Sequence, residues 1–235
     1  MVRATVRAMV SPERHVLVAG ASGLVGRALL AQLLAEDGLR VHALLRRDVP
    51  DLPRSPRLER HLIDFARPGA LPAAEALFIA LGTTIKVAGS KDAMRAVDFG
   101  AVVNVARAAK AAGLRRVAVV SALGADPDSR VFYNRVKGEM ENALRELRLE
   151  RLVIARPSLL AGARAALGQA PRLGEQITLR LLGPVARLIP ASIRPIDAAV
   201  VARAMRIALA TEGLPLQVLE SGALQALGQA TRQAA

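Results

Sequence analysis

The stretch Val16-Leu17-Val18-Ala19-Gly20-Ala21-Ser22-Gly23-Leu24-Val25-Gly26 decides the reading of this chain. An apolar run ends at a glycine, two more glycines follow at three-residue intervals, and an apolar helix-forming segment begins. A strand, a tight turn and a helix N-terminus fit in one short window. Such a corner presents unpaired backbone N–H groups and the positive end of a helix dipole, which suits the pyrophosphate of a dinucleotide. The spacing Gly20-x-x-Gly23-x-x-Gly26 departs from the G-x-G-x-x-G fingerprint, and a plain strand–helix connection also uses glycine. A second strand about twenty residues on favours the nucleotide. Gly20, Ser22, Gly23, Leu24 and Val25 are the residues expected to hold it.

Outward from this corner, apolar runs alternate between strand and helix lengths. Strands are expected over 15–19, 41–45, 58–64, 76–81, 116–121 and 152–155. Helices are expected over 24–36, about 94–112, 132–148 and, last, 196–209. Gly38 and Gly113 supply helix stops. This alternation predicts an α/β fold: a Rossmann-type, doubly wound parallel sheet in a single domain. The expected division is a basic lead over 1–14 and one domain over 15–235. After Pro157 the pattern loosens, and residues 160–195 are expected to cap the substrate side, where ligands sit at the carboxyl ends of the strands. No internal repeat is visible.

Composition narrows the function classes. The chain has 235 residues, 52% of them hydrophobic but only 2% aromatic, so its core is built from Ala, Val, Leu and Ile. There is no cysteine, which excludes disulfides and thiolate chemistry. His15, His42 and His61 fall at strand-like positions with no spacing that suggests a metal site, and no metal is expected. The net charge of +13 comes almost wholly from arginine. The arginines are scattered and stacking aromatics are nearly absent, which disfavours a nucleic-acid partner. Peripheral attachment to an anionic membrane through the Arg-rich stretch 177–194 is left open. No uncharged apolar run reaches the length of a spanning helix. Residues 1–14 lack the apolar core of a secretory signal, Met9 is an alternative start, and the chain is expected to be cytoplasmic.

Two further constellations point to redox chemistry. The second strand ends in Arg46-Arg47, where an acidic residue would favour the ribose 2′-hydroxyl of NAD; a guanidinium instead accommodates the 2′-phosphate of NADP. Asp48 follows directly and blurs the distinction. Asp64 and Phe65 are candidates for the adenine edge and ring, with a capping aspartate as the alternative. Leu81, Gly82 and Thr83 close the fourth strand, where glycine admits a nucleotide to the backbone. Ser121 ends the fifth strand. Twelve residues later stands Tyr133, the only tyrosine, and Lys137 lies four beyond it. Residues four apart share a helix face, and this lysine falls on the apolar side with Met140, Leu144 and Leu147. A lysine there needs a partner or a ligand. An ammonium beside a phenol stabilises its phenolate, so Tyr133 can exchange a proton with a carbonyl or alcohol oxygen. Ser121 is expected to hold that oxygen, and Lys137 to reach the nicotinamide ribose. A packed tyrosine beside a snorkelling lysine is the structural alternative.

Taken in order, Gly20 to Gly26, Arg46-Arg47, Leu81-Gly82-Thr83-Thr84, Ser121, Tyr133-x-x-x-Lys137 and Arg156-Pro157 resemble the short-chain dehydrogenase/reductase superfamily in its atypical branch. Leu81-Gly-Thr-Thr, Val97-Asp98 and Val136-Lys137-Gly138-Glu139 are similar to the small Tat-interacting-protein-like oxidoreductases, themselves related to NAD-dependent epimerase/dehydratase proteins. The resemblance implies a Rossmann fold, NADP(H) in preference to NAD(H), and a Ser-Tyr-Lys site on Ser121, Tyr133 and Lys137. It also implies that Asn104 sits on the helix that supports a proton-relay water. The expected function is hydride transfer to or from a small carbonyl or alcohol. The alternatives are an NADP(H)-sensing regulator with a partner protein and no turnover, or an epimerase/dehydratase-type enzyme.

Overall fold

The computed structural model describes residues 13–161, 190 and 194–230. Seven strands form one parallel sheet: β1 (Arg14–Ala19), β2 (Leu39–Leu45), β3 (Leu58–Leu62), β4 (Ala76–Ile79), β5 (Arg116–Val120), β6 (Arg151–Arg156) and β9 (Leu216–Glu220). Their order is β3-β2-β1-β4-β5-β6-β9. Two short strands, β7 (Leu160–Ala161) and β8 (Ile196–Asp197), pair separately. β1, β2, β4, β5 and β6 are nearly continuous apolar runs because a parallel sheet is buried on both faces.

Helices cover each face. Residues Leu29, Leu30 and Leu33 of α1 (Leu24–Leu34) pack with Val16 and Val18, and with α6 (Ala198–Ala210) and α7 (Ser221–Gln229) through Val201, Met205 and Leu224. On the other face Leu17, Ala19, Leu77 and Ile79 meet α4 (Val102–Ala111) and α5 (Phe132–Arg145). Odd and even residues of β1 thus feed different cores, as strand alternation requires.

Two expectations need correction. The helix over 196–209 is not the last element: β9 and α7 follow it, and β9 extends the sheet beside β6. The short segment 216–220 is only half-buried at the sheet edge, so its apolar signal is weak. The long helix expected over 94–112 is also interrupted. After α2 (Ile85–Ala88) and α3 (Lys91–Arg95), a π-helical stretch, Ala96–Ala101, widens the coil before α4. Such bulges recur at functional sites. Most of the expected capping segment, 162–189 and 191–193, lies outside the described residues.

Strand order reverses between β1 and β4: from β1 the chain builds outward to β2 and β3, then returns to place β4 on the other side. Ala19 and Ile79 are register partners, so the two strands end together. The crevice above their carboxyl ends is the switch point of a doubly wound sheet.

Candidate functional site

The glycines of the first corner do different work. Gly20 has φ +87°, and a Cβ there would stand 2.5 Å from the carbonyl carbon of Ala80, so glycine is required by both conformation and packing. A Cβ on Gly26 would lie 2.0 Å from the Gly20 oxygen; glycine lets α1 start directly against the turn. Gly23 has ordinary φ and meets nothing of the chain closer than 3.5 Å. The fold itself therefore leaves room above Gly23. That helix end has no side-chain cap and no acidic residue in its first turn. Among the described residues, the Leu24 and Val25 amides have no acceptor, which leaves these donors and the dipole for an anion. These residues fit a dinucleotide pyrophosphate.

At the end of β2, Arg46 and Arg47 are exposed, with no side-chain partner among the described residues. Asp48 is engaged elsewhere: its carboxylate accepts the Val49 amide at 2.8 Å and faces Arg60 at 3.6 Å. After β3, Asp64 accepts the Ala66 amide at 2.8 Å, the capping alternative. The Phe65 ring is buried in the core beneath α4. Asn104 donates to the carbonyl oxygens of Phe65 and Ala66, tying α4 to this loop. Its amide is occupied there and not at the Tyr133–Lys137 pair.

The centre of the site is a buried ion pair that sequence reasoning did not assign. Lys137 is 1% exposed and Asp98, within the π-helical stretch, is 0% exposed. Their Nζ and Oδ1 atoms are 2.8 Å apart. The other oxygen, Oδ2, accepts the Thr83 amide at 2.8 Å, so Asp98 fastens the end of β4 to α5. A Cβ on Gly82 would lie 3.3 Å from Asp98 Oδ1 and 3.8 Å from Lys137 Nζ; glycine here makes room for the pair. Lys137 also donates to the Val120 carbonyl at 3.5 Å and sits 6.0 Å from the centre of the Tyr133 ring. Burial by itself would pull the ammonium down. Tyr133, Asp98 and Glu141 outweigh it and hold Lys137 above its usual value. Gly138 lets α5 lie against the loop before it: a Cβ there would meet the Pro127 nitrogen at 2.2 Å.

Ser121 does not join this group. Its hydroxyl is buried and donates to Glu141 Oε1 at 2.6 Å. Glu141, fully buried, also accepts from Arg156 at 2.9 and 2.7 Å and from Arg145 at 3.0 Å. Glu141 lies eight residues beyond Tyr133, about 12 Å along α5. Ser121 is expected to orient the substrate oxygen; in the structure its hydroxyl proton is held by a buried carboxylate two turns beyond Tyr133 on α5. Thr84, likewise, accepts the Val87 amide as the cap of α2.

A signal for Asp98 was present in the sequence. Met94, Asp98, Ala101, Val102 and Val105 share one buried helical stripe, so the acid stands alone among apolar residues, as Lys137 does on α5. The histidines carried no signal in their spacing, yet parallel register brings His15, His42 and His61 side by side on β1, β2 and β3.

Sheet order and corner define the class: a Rossmann-type dinucleotide-binding domain. Residues 20–169 match the family model described as NAD(P)H-binding, and the chain belongs to that family. The chain is similar to "Protein FMP52, mitochondrial" of Eremothecium gossypii, 38% identical over 154 residues that cover 64% of this chain and 68% of that protein. It is 33% identical over 202 residues to the Aspergillus fumigatus protein of the same name, covering 81% and 84%. Those names overturn the expectation of a cytoplasmic protein.

Among solved structures, an oxidoreductase of the short-chain dehydrogenase/reductase family from Burkholderia thailandensis superposes with a TM-score of 0.67 at 19% identity, covering 95% of this chain and 97% of that one. MoeE5, in complex with UDP-glucuronic acid and NAD, gives a TM-score of 0.65 at 19% identity, covering 88% and 76%. Both share the fold.

No helix among the described residues is long and apolar enough to cross a membrane.

Proposed function

We propose that this protein is an NAD(P)H-dependent oxidoreductase acting on a small carbonyl or alcohol, with Tyr133 as proton donor and acceptor. The observation that carries the reading is the Lys137 ammonium, buried between Asp98 and Tyr133 beside the Gly82 turn at the carboxyl end of β4. An ammonium beside the one phenol of the site offsets the negative charge that develops on Tyr133 as its proton is transferred.

Gly20, Ser22, Gly23, Leu24 and Val25 would hold the coenzyme pyrophosphate, and Leu81, Gly82 and Thr83 would border its nicotinamide half. Arg46 and Arg47, exposed and without a side-chain partner among the described residues, support a 2′-phosphate and hence NADP(H). Asp64 and Phe65 would take part only through the backbone of their turn, since the carboxylate caps that turn and the ring is packed. The coenzyme, when bound, supplies hydride transfer. In the reducing direction the Tyr133 hydroxyl gives its proton to the carbonyl oxygen, and the phenolate left behind faces Lys137. In the oxidising direction the phenolate takes the alcohol proton. Asp98 is a positioning residue: it fixes the ammonium against Val120 and the ring.

The test is direct. Wild-type protein, NADPH or NADH, and a panel of aldehydes and ketones are followed by coenzyme absorbance. Tyr133→Phe should lower turnover by roughly 10²-fold or more while coenzyme binding, read by fluorescence, is retained. Wild-type turnover in the phenylalanine variant would remove Tyr133 from its role. Tighter binding of NADH than NADPH would remove the role given to Arg46 and Arg47.

A further inference from the structure

We propose a divalent-cation site on the edge of the sheet, made by His42, Glu59 and His61. His42 Nδ1 lies 2.9 Å from His61 Nε2 and 3.3 Å from Glu59 Oε2. His61 Nε2 is 3.8 Å from the same oxygen. Three donors around one small ion with bonds of about 2.0–2.2 Å and tetrahedral angles stand about 3.4 Å apart. The triangle in this protein brackets that spacing, and a few tenths of an ångström of side-chain adjustment closes it. Two imidazoles and a carboxylate suit Zn²⁺, with water in the fourth position.

The surroundings have the features a metal site needs. The ligands stand on adjacent strands, with His42 opposite Glu59 in the β2–β3 register. His42 is buried, 5% exposed at the side chain, and forms the rigid corner. His61 and Glu59 are 29% and 42% exposed at their side chains, which gives an ion an entry path and gives these ligands freedom to adjust. An outer partner is in place: His15 Nδ1 is 2.9 Å from His42 Nε2, and the two rings stack with centroids 5.1 Å apart. With the His42 proton on Nε2 and pointing at His15, its Nδ1 lone pair faces the other two ligands. Arg40 holds Glu59 Oε1 at 2.9 Å and leaves Oε2 for the ion. Its positive charge is met on the other side by Glu13, at 2.8 Å.

The experiment uses tag-free full-length protein stripped with chelator. Titration with Zn²⁺ by calorimetry should give one saturable site. Co²⁺ should give the intense visible absorption of a four-coordinate ion. His61→Ala and Glu59→Gln, both partly exposed and outside the core, should each weaken Zn²⁺ by at least about tenfold. Circular dichroism should match the wild type. Absence of saturable binding overturns the proposal, as does wild-type affinity in the His61→Ala/Glu59→Gln double variant or only the weak absorption of six-coordinate cobalt.

Discussion

Two carboxylates, Asp98 and Glu141, are both fully buried, yet they are served very differently. Glu141 is saturated by Ser121, Arg145 and the Nε–Nη2 edge of Arg156, whose guanidinium is held above its ordinary range by Glu141, against partial burial, and by Glu220. Asp98 has one amide and one ammonium. The difference separates a clamp from a site. The donors around Glu141 are spent on structure: Ser121 ties α5 to the end of β5, Arg156 ties it to β6, and Arg145 closes a turn of α5 itself. Lys137, by contrast, has three donors for one carboxylate and one long bond to a carbonyl, which leaves it capacity for the phenol and a ribose.

Removing each carboxylate should break that comparison in different ways. Glu141→Ala leaves a guanidinium that cannot shed its proton, and we expect a loss of about 3–5 kcal/mol in urea unfolding. Asp98→Asn should cost less, about 1–3 kcal/mol, because Lys137 can deprotonate when its counter-ion is gone. The pH dependence should then change sign. In the wild type Lys137 is raised, so its stabilisation is present below the unfolded lysine value and lost as pH rises through the folded one. In Asp98→Asn the folded value falls below the unfolded one, and stability should increase with pH through the alkaline range. Equal losses and parallel pH profiles for the two variants would erase the distinction.

Ser121→Ala sharpens it further. If the hydroxyl serves only Glu141, stability drops by about 1–2 kcal/mol and turnover stays within roughly threefold. A fall of about 10²-fold in turnover would return Ser121 to the reacting oxygen. The smallest effect is expected far from both carboxylates. His42 is depressed chiefly by burial, so the unfolded chain binds its proton first. Stability should fall as pH drops below the unfolded histidine value near ~6.5, and His42→Gln should flatten that part of the curve.

Much of this was legible from patterning. The continuous apolar runs of β1, β2, β4, β5 and β6 and the glycine stops placed the sheet and its main helices, since a doubly covered parallel sheet leaves no polar alternation to misread. Leu216–Glu220 escaped because an edge strand buries one face only. Lys137 was visible as a charge on an apolar stripe, and Asp98 carried the same signature on the preceding long helix. Two such misfits in successive helices predict each other, because neither charge is tolerable alone.

The sequence by itself determined the βαβ alternation, the glycine corner and the isolated Tyr133–Lys137 pair, because these depend on periodicities of two and 3.6 residues and on local backbone freedom. Tertiary structure alone decided which buried charges meet: Asp98 with Lys137, Ser121 with Glu141, His42 with Glu59 and His61. Those meetings depend on strand register and on the π-helical stretch, and both arise from packing between segments distant in the chain.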